Sequence, residues 1–140
     1  MITDERIVTF SNARDTETSG ILEAIEREAR ASDVPIIRRE MQSFLKVLIS
    51  LQKPASILEV GTAVGFSALL MSEYAPSGCR ITTIENYEKR IPIARRNFMR
   101  AGKEEQITLI EGDAAEVLAQ LEGKFDFIFM DAAKGQYIHY

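Results

Sequence analysis

At 140 residues, with 46% hydrophobic and 27% charged side chains, the sequence has the composition of one soluble globular domain, not of a disordered or fibrous chain. A net charge of −4 provides no overall attraction to nucleic acid, although it leaves room for a local basic face. The single cysteine, Cys79, excludes an intrachain disulfide and fits a reducing compartment. MITDERIVTF lacks the pattern of a secretory signal, and no run approaches the ~18 apolar residues of a membrane span, so a cytoplasmic protein is expected, with no membrane partner.

Residues 1–53 read as a helical segment. In TETSGILEAIEREARA the apolar Ile21, Leu22, Ile25 and Ala29 recur at helical spacing. REMQSFLKVLISLQ does the same through Met41, Phe44, Leu45, Leu48, Ile49 and Leu51, and Pro35 and Pro54 bracket it. Both stripes are expected to face a core. From Pro54 the pattern changes. SILEVG is a short apolar run ending in glycine, FSALLMSEYA is helical, and RITTIE is a strand. YEKRIPIARRNFMRAG is a helix that Pro92 should kink or delay and that Gly102 should stop. QITLIEG is a strand; DAAEVLAQLEG is a helix with Asp113 as N-cap and Gly123 as its stop; FDFIFMDA is a strand. Alternation of this kind predicts an α/β fold, a parallel sheet covered by helices, over residues 54–140.

In such sheets ligands bind beyond the carboxyl ends of the strands, near the switch in strand order. The first strand runs into LEVGTAVGFS, which contains Glu59, Gly61, Thr62, Gly65 and Ser67; its glycines permit a tight turn and close backbone approach to a ligand. The second ends in Glu85, whose carboxylate can accept both hydroxyl protons of a ribose. The third leads into EGDAAE, where Asp113 either accepts from an exocyclic amine such as that of adenine or only caps the next helix. The fourth ends in Asp131. Ala63 stands where G-x-G-x-x-G would have its second glycine, and no G-K-[ST] follows, so a nucleoside without phosphates, such as S-adenosylmethionine, fits better than a dinucleotide or nucleotide.

Together, ILEVGTAVGFSALLM, TTIE, EGDA and FDFIFMDAAKGQY resemble the bacterial relatives of the catechol and caffeoyl-CoA O-methyltransferases, from about Pro35 to Tyr140. These are class I, metal-dependent S-adenosylmethionine enzymes, and the nearest branch includes the tRNA 5-hydroxyuridine methyltransferase. The resemblance implies a Rossmann-like fold with strand order 3-2-1-4. It places Glu59, Gly61, Thr62, Gly65, Ser67 and Ala68 around the methionine part and ribose, Glu85 and Asn86 at the ribose, and Gly112, Asp113 and Ala114 at the adenine. Asp131 would border the cofactor and hold a divalent cation such as Mg²⁺, and Lys134 would be the general base beside the acceptor hydroxyl. The acceptor is either a catechol-like small molecule or tRNA, for which Arg38, Arg39, Arg95, Arg96, Arg100 and Lys103 offer basic side chains. A homodimer is expected.

The family's chain continues through further strands and an Asp-Asn pair that completes its metal site, whereas nothing follows Tyr140, so an inactive fragment of a larger domain is expected. His139, the only histidine, is expected to be a loop or edge residue and not a replacement metal ligand. Three rival functions remain: a nucleoside-binding module without catalysis, an NAD-dependent oxidoreductase, and an interaction domain that pairs through the edge of its sheet.

Overall fold

The computed structural model describes residues 20–130. Asp131, Lys134 and His139 lie outside them. Helix α1 occupies residues 20–31 of the described chain, and α2 spans Arg39–Gln52. Strand β1 (Ser56–Val60), α3 (Phe66–Tyr74), β2 (Arg80–Glu85), α4 (Ile91–Arg100), β3 (Ile107–Glu111), α5 (Ala114–Gln120) and β4 (Phe127–Met130) then alternate. All four strands are parallel, in the order β3-β2-β1-β4.

Two-residue alternation divides the strand side chains between the faces of the sheet. Ile57, Ile81, Ile107, Leu109 and Phe129 join Leu22, Ile25, Leu45, Ile49, Leu69, Leu70 and Phe98 of α1 to α4 in one core. Leu58, Val60 and Ile84 point the other way and meet Ala114, Val117, Leu118 and Leu121 in and just after α5. Strand β1, covered on both faces, is an interior parallel strand, which accounts for its nearly continuous apolar run. Chain order reverses between β3 and β4, so the crevice between the carboxyl ends of β1 and β4 is the topological switch point.

The ends of α4 follow local rules. Pro92 occupies the first turn of α4, where its missing N–H costs nothing, and the helix starts at Ile91 without a kink being needed. Gly102, at φ 69°, lets Lys103 N–H reach Phe98 O and Gly102 N–H reach Met99 O, the double bond of a Schellman cap. Helix α5 departs from expectation: it ends at Gln120, and Leu121, not Gly123, is its C-cap. Leaving the helix early lets Leu121 and Phe125 pack against Leu58 and Val60.

Helix α2 corrects a second expectation. Of its apolar residues only Leu45 and Ile49 are buried, each gaining ~1.5–3 kcal/mol from removal from water. Met41, Phe44 and Leu51, expected to face a core, are 40%, 56% and 67% exposed. The helix contacts the rest of the fold along a narrow i, i+4 line, so a wide apolar stripe cannot all be covered.

Candidate functional site

Residues Gly61 to Gly65 turn the chain from β1 into α3 at the switch point. Gly61 N–H and Thr62 N–H both donate to Ile84 O at 2.9 and 3.1 Å, which hangs the turn on β2. Gly65 closes it with an N–H bond to Thr62 O at 2.9 Å. Its φ of 91° favours glycine, and a Cβ there would stand 2.6 Å from the Phe98 ring. Ala63 also adopts a left-handed conformation, φ 50°, so the position that breaks the dinucleotide glycine pattern still bends as a glycine would.

Beneath the turn lies a buried polar cluster. Thr83 Oγ1 donates to Glu59 Oε1 at 2.7 Å, and Ser67 Oγ donates to Glu59 Oε2. Thr83 has one O–H, already directed to Glu59, so Thr62 is the donor in its 2.6 Å contact with Thr83 Oγ1. Glu59, Thr62, Ser67 and Thr83 are each at most 5% exposed. Three expected cofactor residues, Glu59, Thr62 and Ser67, therefore turn their side chains into a strut that braces β1, β2 and α3. What this stretch presents outward is the backbone of the turn. Ala68, in the first turn of α3, is 0% exposed and packs into the core.

Glu85 sits where expected, at the carboxyl end of β2. Oε1 accepts Ala63 N–H at 2.7 Å and Oε2 accepts Tyr87 N–H at 3.1 Å. A carboxylate accepts about four hydrogen bonds, so its orientation is set while acceptor capacity remains. Asn86 is exposed beside it, and the half-exposed Tyr87 ring lies 5.1 Å below the Arg90 guanidinium. Gly112 N–H donates to Glu85 O at 2.9 Å, which joins the third strand end to the second. Asp113 is the N-cap of α5, accepting Glu116 N–H at 3.2 Å, and Ala114 is buried behind it.

Gly61, Gly65, Glu85, Gly112 and Asp113 are thus collected along one sheet edge by parallel pairing. Several residues that shape this edge escape sequence reasoning. Thr83 and Asn97 come from other elements, Asn97 Nδ2 reaching Val64 O at 2.8 Å. Pro35, Ile36 and Ile37 wall a small cleft against Thr62, Ala63, Val64, Phe66 and Ser67. Only Pro35 carried a signal, and it read as a helix bracket. Of the basic residues, Arg39 pairs with Glu26 at 3.8 Å, Arg95 with Glu111 at 2.9 Å and Arg100 with Glu28 at 3.1 Å.

Among the described residues no group of three or more His, Cys, Asp or Glu side chains could hold a metal ion. No helix among them is long and apolar enough to cross a membrane.

The sequence pattern of the O-methyltransferase family matches residues 12–140. A catechol O-methyltransferase from Niastella koreensis is 38% identical over 101 residues, 69% of this chain and 46% of that protein. One from Mycobacterium tuberculosis is 33% identical over 113 residues, 79% of this chain and 51% of that protein. Among solved structures, the O-methyltransferase from Bacillus cereus in complex with SAH superposes with a TM-score of 0.73 at 32% identity, covering 80% of this chain and 54% of that one. An SAH-bound methyltransferase from Podospora anserina gives 0.74 at 29% identity, covering 98% and 62%. The chain spans about half the length of the curated relatives it matches.

Proposed function

The chain belongs to the O-methyltransferase family, and from that premise we propose that its switch-point edge binds S-adenosylmethionine for methyl transfer to a hydroxyl of a small catechol-like acceptor. One observation carries this most directly: the Glu85 carboxylate is bonded to the Ala63 N–H of the glycine turn at 2.7 Å. That contact joins a carboxylate suited to ribose hydroxyls with a backbone turn suited to the methionine part. When bound, S-adenosylmethionine supplies an electrophilic methyl group.

The protein's own groups do the rest. Glu85 accepts the ribose hydroxyls with the capacity its two backbone bonds leave, beside Asn86. The backbone of Gly61 to Gly65 lies along the methionine part, held rigid by the Glu59–Thr83–Ser67 cluster below it. Asp113 caps α5 and accepts from the adenine amine, with Gly112 and Ala114 forming the floor. Lys134, outside the described residues, is the proposed acceptor of the hydroxyl proton, with Asp131 three residues before it in sequence. Holding acceptor and donor at near-attack distance supplies much of the rate.

A small acceptor is favoured over tRNA because Arg39, Arg95 and Arg100 are each paired with a glutamate, which leaves fewer unopposed cations for a phosphate backbone. Titration calorimetry with S-adenosylhomocysteine and with NAD tests the cofactor. Selective binding of S-adenosylhomocysteine is expected, and selective binding of NAD would overturn the proposal. A methylation assay comparing catechol with hypomodified tRNA tests the acceptor; transfer to tRNA alone would overturn that half.

A further inference from the structure

Helix α4 touches the glycine turn with two consecutive residues. Phe98 stands against Gly65, leaving no room for a Cβ. Asn97, 1% exposed, donates from Nδ2 to Val64 O at 2.8 Å. Val64 O belongs to the peptide unit whose N–H is that of Gly65. Carbonyl and N–H point in opposite directions across a planar trans peptide. Holding the carbonyl toward α4 therefore aims Gly65 N–H at Thr62 O, the 2.9 Å bond that closes the turn. Gly61 N–H and Thr62 N–H are held by Ile84 O, Ala63 N–H by Glu85 and Thr62 Oγ1 from beneath by Thr83, so Asn97 ties the turn at Val64, the corner those contacts from β2 do not reach.

The other end of the same amide is costly. Among the described residues Asn97 Oδ1 is buried with no hydrogen-bond partner. A buried amide oxygen without a donor is destabilising, and an apolar residue of similar volume would avoid that cost. Native sequences keep some such violations at functional positions, and the bond this amide does make is the one to Val64 O. The amide identifies its own orientation, because only the NH₂ can donate to a carbonyl.

We propose that Asn97 is a positioning residue of the cofactor site: through Val64 O it sets the turn that receives the methionine end of S-adenosylmethionine, and so governs affinity for that end and not for the adenosine end. This rests on the switch-point edge being the cofactor site.

The test compares S-adenosylhomocysteine with 5′-methylthioadenosine, which keeps the nucleoside and lacks the amino-acid end. Calorimetry on the full chain is run for the unsubstituted protein, Asn97→Asp and Asn97→Leu. Both variants remove the donor; Leu also removes the orphaned oxygen. Affinity for S-adenosylhomocysteine is expected to fall about tenfold, the scale of one lost hydrogen bond, while that for methylthioadenosine stays within about twofold. Ala94→Gly, a buried change on the same helix, is expected to lower stability without separating the two ligands. Equal weakening of both ligands in the Asn97 variants, or no weakening, overturns the inference. Should neither variant fold, NMR of the Asn97 side-chain amide in the unsubstituted chain decides: its signals should shift with S-adenosylhomocysteine and not with methylthioadenosine, and equal shifts overturn it. An unsubstituted chain that binds neither ligand overturns the cofactor site itself and this inference with it, a result distinct from any of the others.

Discussion

Replacing Glu85 by alanine should separate two roles of one carboxylate. Its oxygens accept Ala63 N–H at 2.7 Å and Tyr87 N–H at 3.1 Å, and the residue is 9% exposed. The first consequence is in stability. Ala63 is 5% exposed, so its N–H loses its acceptor in a place water reaches poorly, at a cost of about 1–3 kcal/mol. The second is in binding. Hydrogen bonds to a charged group contribute about 1.5–3 kcal/mol, so affinity for S-adenosylhomocysteine should drop roughly 10–150-fold. Glu85→Gln keeps the volume and one carbonyl acceptor but turns an NH₂ toward one of its former donors. It should lie between the unsubstituted protein and Glu85→Ala in both measurements. Denaturant unfolding supplies the stability and calorimetry the affinity, each on protein verified as folded. A folded Glu85→Ala chain with undiminished affinity would refute the assignment of Glu85 to the ribose.

Other outcomes follow from single contacts. Gly65→Ala should destabilise by about 2–4 kcal/mol, because it combines a strained φ of 91° with a Cβ 2.6 Å from the Phe98 ring, and Phe98→Leu should recover part of that loss in thermal unfolding; no recovery would mean that strain alone sets the cost. The Glu26 carboxyl is held below its ordinary value chiefly by the Gln42 side-chain hydrogen bond and further by Arg30 and Arg39, against the opposing effect of burial. A lowered folded value means that its stabilisation is complete above the ordinary glutamate range near pH 4.3 and is lost as pH falls through the lowered value, so Glu26→Gln should flatten the acid limb of a stability–pH curve, and an unchanged limb would discount the site. Burial pushes the Cys79 thiol up, aided by Asp126, so native protein should resist iodoacetamide at neutral pH and react on unfolding; fast native alkylation would contradict the packing.

Much of the frame was legible from residues near one another in the chain. Alternation and punctuation placed β1 to β4, and the Arg39–Gln52 helix was read to its ends, because periodicity and breakers act within a few residues. Glu85 was legible for the same reason: a charged residue closing an apolar strand stands at the ligand edge of a parallel sheet. The strand order β3-β2-β1-β4 was carried by the family resemblance and is the order observed.

Tertiary structure decided what depends on partners far away in sequence. Glu59 was legible as an acid near the carboxyl end of β1, but that Thr83, a strand away, and Ser67 bond its oxygens and make it a brace was not. Asn97 carried no signal in the sequence; its amide meets Val64 O across 33 residues of chain. Met41, Phe44 and Leu51 shared the periodicity of Leu45 and Ile49, but how much of an apolar stripe is covered depends on the neighbour, and here only the Leu45–Ile49 line is. Helix α5 stops before Gly123, and Leu121 packs against the Leu58–Val60 cluster, a contact that local sequence does not specify. Periodicity specifies which residues share a face; which of them is buried, braced or left to hold a ligand is set by what the fold brings against that face.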